Sequence, residues 1–250
     1  MPTLIFLHGL LGTKADWQKL IEKLPHFRCI ALDLPLHGEA KSVEVSHFDD
    51  TCAYLSVQIK SAVGNSPYFL IGYSLGGRIA LYYALQSQAD KGNLQGLILE
   101  GANLGLQSEA ERHSRWLNDQ KWAQRFRCEV AETVLQDWYR QPVFAHLNNR
   151  QRLELIRRRA ENCGSNIAQM LLATSLAKQP DFRRKVRSNS LPIYYIVGEK
   201  DQKFKQMALN NRLNFITIEN AGHNAHSENP NKFAQALIIH CSNSSEEAQQ

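Results

Sequence analysis

A serine stands between two glycines at the point where an apolar segment gives way to a helical one. The pentapeptide is Gly72-Tyr73-Ser74-Leu75-Gly76. The apolar run 68–71 before it predicts a buried strand, and residues 77–84 after it predict a helix. Glycines around the serine permit a turn so tight that the hydroxyl projects beyond the carboxyl end of the strand. Such a serine becomes reactive when a neighbouring histidine takes its proton.

An aspartate and a histidine that could activate this serine follow it in the chain. Asp201 ends the segment 191–201, which predicts a strand followed by a polar turn. His223 follows a second strand-like segment, 214–218. The order serine, aspartate, histidine is that of the α/β-hydrolase fold. His226 is the rival for the histidine role, and we favour His223 because Gly222 gives it an open turn. The sequence therefore predicts a Ser74–His223–Asp201 triad.

The loop after the first apolar run supplies a further part of the predicted site. It reads His8-Gly9-Leu10-Leu11-Gly12. In this fold one oxyanion-hole amide comes from such a loop and the other from the residue after the serine, so we expect the backbone amides of Leu10 and Leu75 to serve. We interpret His8 and His37 as loop histidines that bond backbone groups. Asp33 comes too early in the chain for the triad and is expected to hold a loop.

Strands and helices alternate along most of the chain, which is typical of an α/β fold with a mostly parallel sheet flanked by helices. Strands are predicted at 3–7, 28–32, 67–71, 95–100, 192–197 and 214–218, and helices at 15–24, 48–63, 76–87 and 229–241. The His8–Gly9 loop follows the first strand here, although it follows the third in the usual fold. We therefore expect the two leading strands to be missing or reduced.

Residues 104–190 are predicted to form a helical lid inserted after the sixth family strand, between core segments 1–103 and 191–250. Helices are predicted near 109–126, 130–139, 148–162 and 165–177. The lid carries 16 Lys and Arg against 9 Asp and Glu, whereas the remainder carries 13 against 15. This charge, together with Arg78 one helical turn after Ser74, indicates an anionic ligand. The alternative for most of these cations is a solvated helix surface.

Composition excludes several classes of protein. No apolar run approaches the roughly 20 residues that span a bilayer, and no signal peptide is evident. The five cysteines are scattered without a C-x-x-C pair, so neither a metal site nor a disulfide framework is predicted. No nucleic-acid reader motif is present. We expect a cytoplasmic monomer with no cofactor, no nucleic-acid partner and no membrane insertion.

Longer motifs resemble one family, the 2-succinyl-6-hydroxy-2,4-cyclohexadiene-1-carboxylate synthases of menaquinone biosynthesis. They are Ile71-Gly-Tyr-Ser-Leu-Gly-Gly-Arg78, Gly222-His-Asn-Ala-His226 and Trp138-Tyr-Arg-Gln-Pro-Val-Phe144. The similarity covers nearly the whole chain. It implies a lyase that removes a proton beside a succinyl ketone and eliminates pyruvate, with Ser74 as the base.

The same resemblance implies substrate-binding residues. The family's carboxylate-binding arginines fall on Arg78, Arg115 and Arg159. Tyr73 and Trp138 resemble substrate contacts, and Lys203 is a further candidate. Trp138 has an alternative role as an aromatic residue of the lid core.

Two other functions stay open at this point. One is a serine hydrolase that cleaves a small anionic ester, thioester or carbon–carbon bond through an acyl-serine. The other is a ligand receptor without catalysis, which would have no need of an intact triad.

Overall fold

The computed structural model describes residues 2–247, with side chains through residue 241. Within it six strands form one sheet: β1 Thr3–Leu7, β2 Cys29–Leu32, β3 Tyr68–Tyr73, β4 Leu94–Glu100, β5 Ile193–Gly198 and β6 Phe215–Ile218. The spatial order is β2-β1-β3-β4-β5-β6, and every neighbouring pair is parallel. All six predicted strands are present, each within two residues of its predicted ends. After β2 the chain returns past β1 and adds β3 on its other side, so the direction in which strands are added to the sheet changes between β1 and β3. Open α/β sheets bind ligands at such a point.

Alternation along the strands sends side chains to two separate cores, one on each face of the sheet. In β1, Ile5 and Leu7 pack into one core while Leu4 and Phe6 pack into the other. Because both faces are covered, residues 4–7 of the strand are all apolar, and every side chain in it, including that of Thr3, is buried. This burial holds the carboxyl ends of β1 and β3 side by side.

Helices cover both faces and fill the region between β4 and β5. They are α1 Gln18–Ile21, α2 Phe48–Val63, α3 Leu75–Leu85, α4 Glu109–Cys128, α5 Ala131–Trp138, α6 Asn149–Arg159, α7 Gly164–Ala173, α8 Arg183–Ser188, α9 Gln202–Asn210, α10 Ala225–Glu228 and α11 Pro230–Glu247, with 3₁₀ turns at Lys14–Trp17, Gly38–Ala40 and Pro142–Phe144. The single helix predicted at 15–24 was wrong, because that segment divides into a 3₁₀ turn and the short α1. The short helices α8, α9 and α10 were missed, since their few residues carry little periodic signal.

The segment between β4 and β5 contains helices and no strand among its described residues. Ser108 and Glu111 begin α4 with a reciprocal capping box at 2.9–3.1 Å. The insertion has its own apolar core, and Leu11 from the loop after β1 is part of it. The helices of the insertion therefore pack directly over the end of β1. None of the helices within residues 2–247 combines the length and apolar content required to cross a membrane.

Candidate active site

Ser74 occupies the tight turn between β3 and α3, with φ +50° and ψ −106°. This left-handed backbone is unfavourable for a serine and is held by its surroundings. A Cβ atom on Gly76 would lie 2.3 Å from the carbonyl oxygen of Leu7, and one on Gly72 would lie 2.5 Å from that of Gly76. Only glycine permits this approach, so the two glycines of the motif fix the position of the serine.

His223 and Asp201 contact each other through their side chains. His223 Nδ1 lies 2.6 Å from Asp201 Oδ2, and both side chains are almost fully buried. Asp201 follows β5 and caps α9, where its other oxygen accepts the amide of Phe204 at 3.4 Å. The aspartate therefore orients the imidazole with its proton on Nδ1, which leaves Nε2 available as a base. His223 and Ser74 line the same cavity.

His226, the rival histidine, has a different partner. Its Nδ1 lies 2.6 Å from Glu100 Oε2, and its ring stacks on Trp17 at 4.0 Å between centroids. His226 is 1% exposed and does not line the cavity that contains Ser74. His223 and His226 thus pair with different carboxylates, and only His223 of the two lines the cavity with Ser74.

Two backbone amides are available at the predicted oxyanion hole. Within the described part of the chain, the N–H groups of Leu10 and Leu75 donate no hydrogen bond, and both residues line the cavity with Ser74. Leu75 is also the first residue of α3, where the helix dipole favours negative charge. Both amides are therefore available to donate to an oxyanion, which is the role predicted for them from the sequence.

Buried side chains hold the loop that carries Leu10. His8 Nδ1 donates to the carbonyl of Gly9 at 2.7 Å and its Nε2 accepts the amide of Leu34 at 3.0 Å. His37 Nε2 accepts the amide of Leu11 at 3.3 Å. Burial lowers the pKa of His8 to about 4 and that of His37 to about 3, so both are neutral near pH 7. Both bond backbone groups, which is the role interpreted from the sequence.

Asp33 anchors the same region from the other side. Its carboxylate accepts the amides of Lys14 at 2.7 Å and Glu39 at 2.9 Å. The predicted loop-holding role agrees with these contacts.

The serine cavity, which we define by Leu10, Ser74, Leu75, Arg78, Arg115, Trp138, Phe144, Lys203 and His223, has a volume of about 160 Å³. Its other walls are Gly101, Asn103, Gln141, Val143, Leu171, Leu176 and Phe204. Predicted residues from the triad, the first helical turn of α3 and the insertion thus meet in one space. The cavity is bounded partly by the core and partly by the insertion.

Arg78 is buried in this cavity without a carboxylate partner among the described residues. Its Nη1 donates to the carbonyl of Thr174 at 2.8 Å and to Gln179 Oε1 at 3.3 Å. Burial, together with the nearby cation of Arg115, lowers its pKa to about 9. An uncompensated buried guanidinium is expensive for the free protein. The arrangement is suited to an anion that enters the cavity.

Arg115 and Lys203 add positive charge to the same cavity. Arg115 Nε donates to Asp119 Oδ1 at 2.8 Å, so part of its charge is compensated. Lys203 forms no ion pair with a described residue. Its pKa is lowered mainly by burial and to a smaller extent by repulsion from the cation of Arg115. Ser175 Oγ donates to Asp119 Oδ2 at 2.7 Å and so supports the carboxylate that binds Arg115. No signal in the sequence indicates this contact, because Asp119 and Ser175 lie 56 residues apart.

Tyr73 and Arg159 lie in a neighbouring cavity, not in the serine cavity. We define the neighbouring cavity by Lys19, Tyr73, Tyr139, His146, Gln151, Arg158, Arg159, Asn224 and Glu228. It shares the walls Leu10, Trp138 and Phe144 with the serine cavity. Arg159 Nη2 donates to Asp16 Oδ2 at 2.6 Å, and the same carboxylate accepts from Arg158 at 2.8 Å. The structure therefore brings Arg78 and Arg115 together but places Arg159 apart, with Asp16 as its partner.

The position of Trp138 is compatible with both of the roles that the sequence left open. It lines both cavities, and it packs edge-on against Trp122 at 5.0 Å and against Phe126 at 5.5 Å within the core of the insertion. No group of three metal-ligating side chains occurs within the described residues.

Comparison with known proteins places these features in a family. A family model described as the alpha/beta hydrolase fold matches residues 2–230. A Haemophilus influenzae protein provisionally named 2-succinyl-6-hydroxy-2,4-cyclohexadiene-1-carboxylate synthase is 61% identical over 95% of this chain and 96% of its own length. A Citrobacter koseri protein named as the same synthase is 45% identical over 92% of this chain and 89% of its own.

Solved structures agree with the fold. The structure of MenH from S. aureus matches with a TM-score of 0.88 at 27% identity, covering 98% of this chain and 94% of that one. A malate-bound esterase from Thermogutta terrifontis matches with a TM-score of 0.78 at 22% identity, covering 98% of this chain and 90% of that one, and shows the shared fold alone.

Proposed function

Because this chain belongs to the 2-succinyl-6-hydroxy-2,4-cyclohexadiene-1-carboxylate synthase family of the α/β-hydrolase fold, we propose that its serine cavity performs that family's elimination. The substrate is 2-succinyl-5-enolpyruvyl-6-hydroxy-3-cyclohexene-1-carboxylate, and the products are pyruvate and the cyclohexadiene of the family name. The enzyme is thus a carbon–oxygen lyase of menaquinone biosynthesis built on a hydrolase fold.

The observation that carries the proposal is the buried, uncompensated guanidinium of Arg78 beside Ser74. A substrate carboxylate would supply the missing negative charge and accept two parallel N–H bonds. A neutral ester would leave this cation unpaired. The cavity therefore favours an anionic substrate, and this substrate carries several carboxylates.

The triad supplies the base. His223 takes the hydroxyl proton of Ser74, and Asp201 stabilises the resulting imidazolium through the 2.6 Å contact. The serine oxygen removes the proton next to the succinyl ketone, and the electron pair of that C–H bond forms an enolate. The amides of Leu10 and Leu75 stabilise the enolate oxygen.

Collapse of the enolate completes the reaction. Its electron pair moves through the ring double bond and breaks the ring carbon–oxygen bond to the enolpyruvyl group. Pyruvate enolate leaves with that pair and becomes pyruvate when a proton is returned to it. No acyl-serine forms, which distinguishes this use of the triad from hydrolysis.

The remaining predicted residues have roles that follow from their positions. Arg115 and Lys203 would face the substrate from the insertion and from α9. Trp138 would bridge both cavities, while Tyr73 and Arg159 would contact a substrate arm that extends into the neighbouring cavity. Arg159 would act with Asp16 still bound to one of its nitrogens.

We further propose that residues 104–190 act as a lid over Ser74 and that the enzyme is a cytoplasmic monomer. The lid proposal is supported by the insertion residues Trp138 and Phe144, which form walls of the serine cavity. The location and the oligomeric state stay predictions, which cell fractionation and size-exclusion chromatography with light scattering would test.

The test measures pyruvate release from the enolpyruvyl precursor, prepared fresh because it eliminates slowly unaided. A coupled NADH assay follows the wild type, Ser74→Ala and an enzyme-free blank. We expect fast release that requires Ser74. Release at the rate of the blank, together with a burst and an acyl-serine on activated esters, would show a serine hydrolase instead. Function retained in cells by Ser74→Ala would indicate a receptor.

A further inference from the structure

In the part of the chain that the structure describes, every group that hydrogen-bonds the guanidinium of Arg78 is uncharged. Its Nη1 donates to the backbone carbonyl of Thr174 at 2.8 Å and to the side-chain amide oxygen of Gln179 at 3.3 Å. Its Cζ lies 5.9 Å from the centroid of the Phe48 ring, a distance at which an aromatic face attracts a cation. These groups fix the direction of the guanidinium and leave its charge uncompensated.

The side chain of Gln179 is itself fixed as an acceptor. Its Nε2 donates to the backbone carbonyl of Asn103 at 2.8 Å, so Oε1 is the atom that faces Arg78. Gln179 is fully buried, and solvent therefore does not compete for either contact. The amide thus presents a neutral oxygen to the guanidinium in a single orientation.

Gln179 belongs to a turn that is anchored to the longest helix of the insertion. We call residues 174–179 the supporting turn. Arg112 of α4 donates from Nη1 to the backbone carbonyls of Ala177 at 3.2 Å and Gln179 at 2.7 Å. Leu176 of the same turn lines the serine cavity. The groups that hold Arg78 are therefore part of the cavity wall and do not depend on a ligand for their position.

The same turn keeps a nearby carboxylate on a different cation. Ser175 Oγ donates to Asp119 Oδ2 at 2.7 Å, and Asp119 Oδ1 accepts from Arg115 Nε at 2.8 Å. Burial lowers the pKa of Arg78, the cation of Arg115 lowers it further, and the carboxylate of Asp119 opposes this with a smaller effect. The supporting turn therefore gives Arg115 a carboxylate partner and gives Arg78 an amide.

We propose that Gln179 is a positioning residue that sets the selectivity of the serine cavity for carboxylate ligands, because it orients the guanidinium of Arg78 without neutralising it. A carboxylate in place of the amide would accept the same N–H group, but it would also pair with the cation. The guanidinium would then have no unpaired charge to offer a ligand. With the amide, Arg78 gains a counter-ion only when an anionic ligand enters. This inference rests on the proposed role of Arg78 in binding a substrate carboxylate.

The test measures binding and does not require turnover. The probe is 2-succinylbenzoate, an aromatic diacid that carries a ring carboxylate and a succinyl arm and has no enolpyruvyl group to eliminate. Calorimetry compares it with its two monomethyl esters. We expect the wild type to bind one monoester about 10- to 100-fold more weakly than the diacid, because that ester removes the carboxylate that pairs with Arg78.

The variants separate the charge of the guanidinium from its orientation. Gln179→Glu supplies an internal counter-ion, so the ratio of diacid to monoester affinity should fall to about threefold or less. Gln179→Met removes the acceptor but leaves the charge, so this ratio should stay within about threefold of the wild-type ratio while both ligands bind somewhat more weakly. In the pyruvate assay Gln179→Glu should lower kcat/KM about 100-fold, as expected for Arg78→Met.

Gln136→Glu is the matched control, because it makes the same substitution at an exposed position of α5 in the insertion. We expect it to match the wild type. The proposal is overturned if folded Gln179→Glu keeps the wild-type ratio, if Gln179→Met loses the ratio equally, or if Gln136→Glu has the same effect.

A second measurement decides the question if Gln179→Glu does not fold. When Gln179 acts through Arg78, Gln179→Met weakens diacid binding in the wild type but has no further effect in Arg78→Met. Equal losses in both backgrounds would overturn the proposal, and so would a wild type that binds the diacid and both monoesters equally. A wild type that releases no pyruvate, but prefers the diacid and loses this preference in Gln179→Glu, would sink the proposed reaction and leave the role of Gln179 intact.

Discussion

Replacement of Arg78 by methionine separates a substrate-binding role from a structural one, because the two roles predict different effects on stability. The guanidinium is buried, has no carboxylate partner among the described residues, and has a pKa lowered to about 9 by burial. Methionine fills a similar volume without the charge. The substitution therefore removes a desolvation cost, but it also leaves the carbonyl of Thr174 and the side-chain oxygen of Gln179 without their donor.

These contributions to the free energy of unfolding oppose each other. Each unpaired acceptor costs about 1–3 kcal/mol, and relief of the buried charge returns a comparable amount. We expect the melting temperature to stay within a few degrees of the wild type. Catalysis has no such compensation, since loss of a charge-assisted pair to a substrate carboxylate costs about 2–5 kcal/mol. We expect kcat/KM to fall about 100-fold, which corresponds to about 2.7 kcal/mol.

The assay combines kinetics with inhibition by paired ligands. Pyruvate release gives kcat/KM for the wild type, Arg78→Met and Arg78→Lys. Lysine keeps the charge without the planar pair of donors, so we expect an intermediate loss of about tenfold. A non-eliminating carboxylate analogue and its methyl ester are compared as competitive inhibitors.

The wild type should prefer the carboxylate analogue, and this preference should disappear in Arg78→Met. The reasoning is refuted if kcat/KM of Arg78→Met stays within threefold of the wild type. It is also refuted if the variant weakens the ester and the carboxylate equally.

Three further predictions concern the catalytic histidine and the loop histidines. His223→Ala should lower kcat by about 10³-fold or more, and a loss below tenfold in the pyruvate assay would assign the deprotonation of Ser74 to His226 or point to a different base. Gly101→Ala should lower kcat by about 100-fold with the circular dichroism spectrum preserved, because its Cβ would lie 2.8 Å from His223 Cε1 at a φ of +54°; unchanged kinetics would contradict this geometry. His8 and His37 stay neutral in the fold but bind protons below pH 6.5 when the chain unfolds, so stability should fall as pH drops from 6.5 toward 4. His8 alone should contribute about 3 kcal/mol, measured as urea unfolding at several pH values, and a flat profile would disprove it.

Much of the fold was predictable because its signals are local. Residues 4–7 of β1 form an unbroken apolar run, and each such run became a strand of the parallel sheet. The tight turn at Ser74 was predictable because steric contact with backbone atoms requires glycine at positions 72 and 76. Short helices such as Gln202–Asn210 escaped prediction because their position depends on Asp201 as a cap and on packing against β5.

The sequence did not predict which residues bind the predicted arginines. Arg78 and Arg159 both match the family pattern, yet Arg159 pairs with Asp16, which precedes it by 143 residues. No local pattern encodes such a contact. Its consequence is that the two arginines face different cavities.

The sequence by itself determined the chemistry that this protein can perform and the elements that carry it. The spacing of glycines, the apolar runs and the order of Ser74, Asp201 and His223 can all be read along the chain. The distribution of charged residues along the chain places the net positive charge in the insertion. Tertiary structure decided which carboxylate each histidine receives, with Asp201 on His223 and Glu100 on His226. It also decided which cations stay uncompensated. These outcomes depend on distances between residues far apart in sequence, and only the packed sheet and its insertion bring them together.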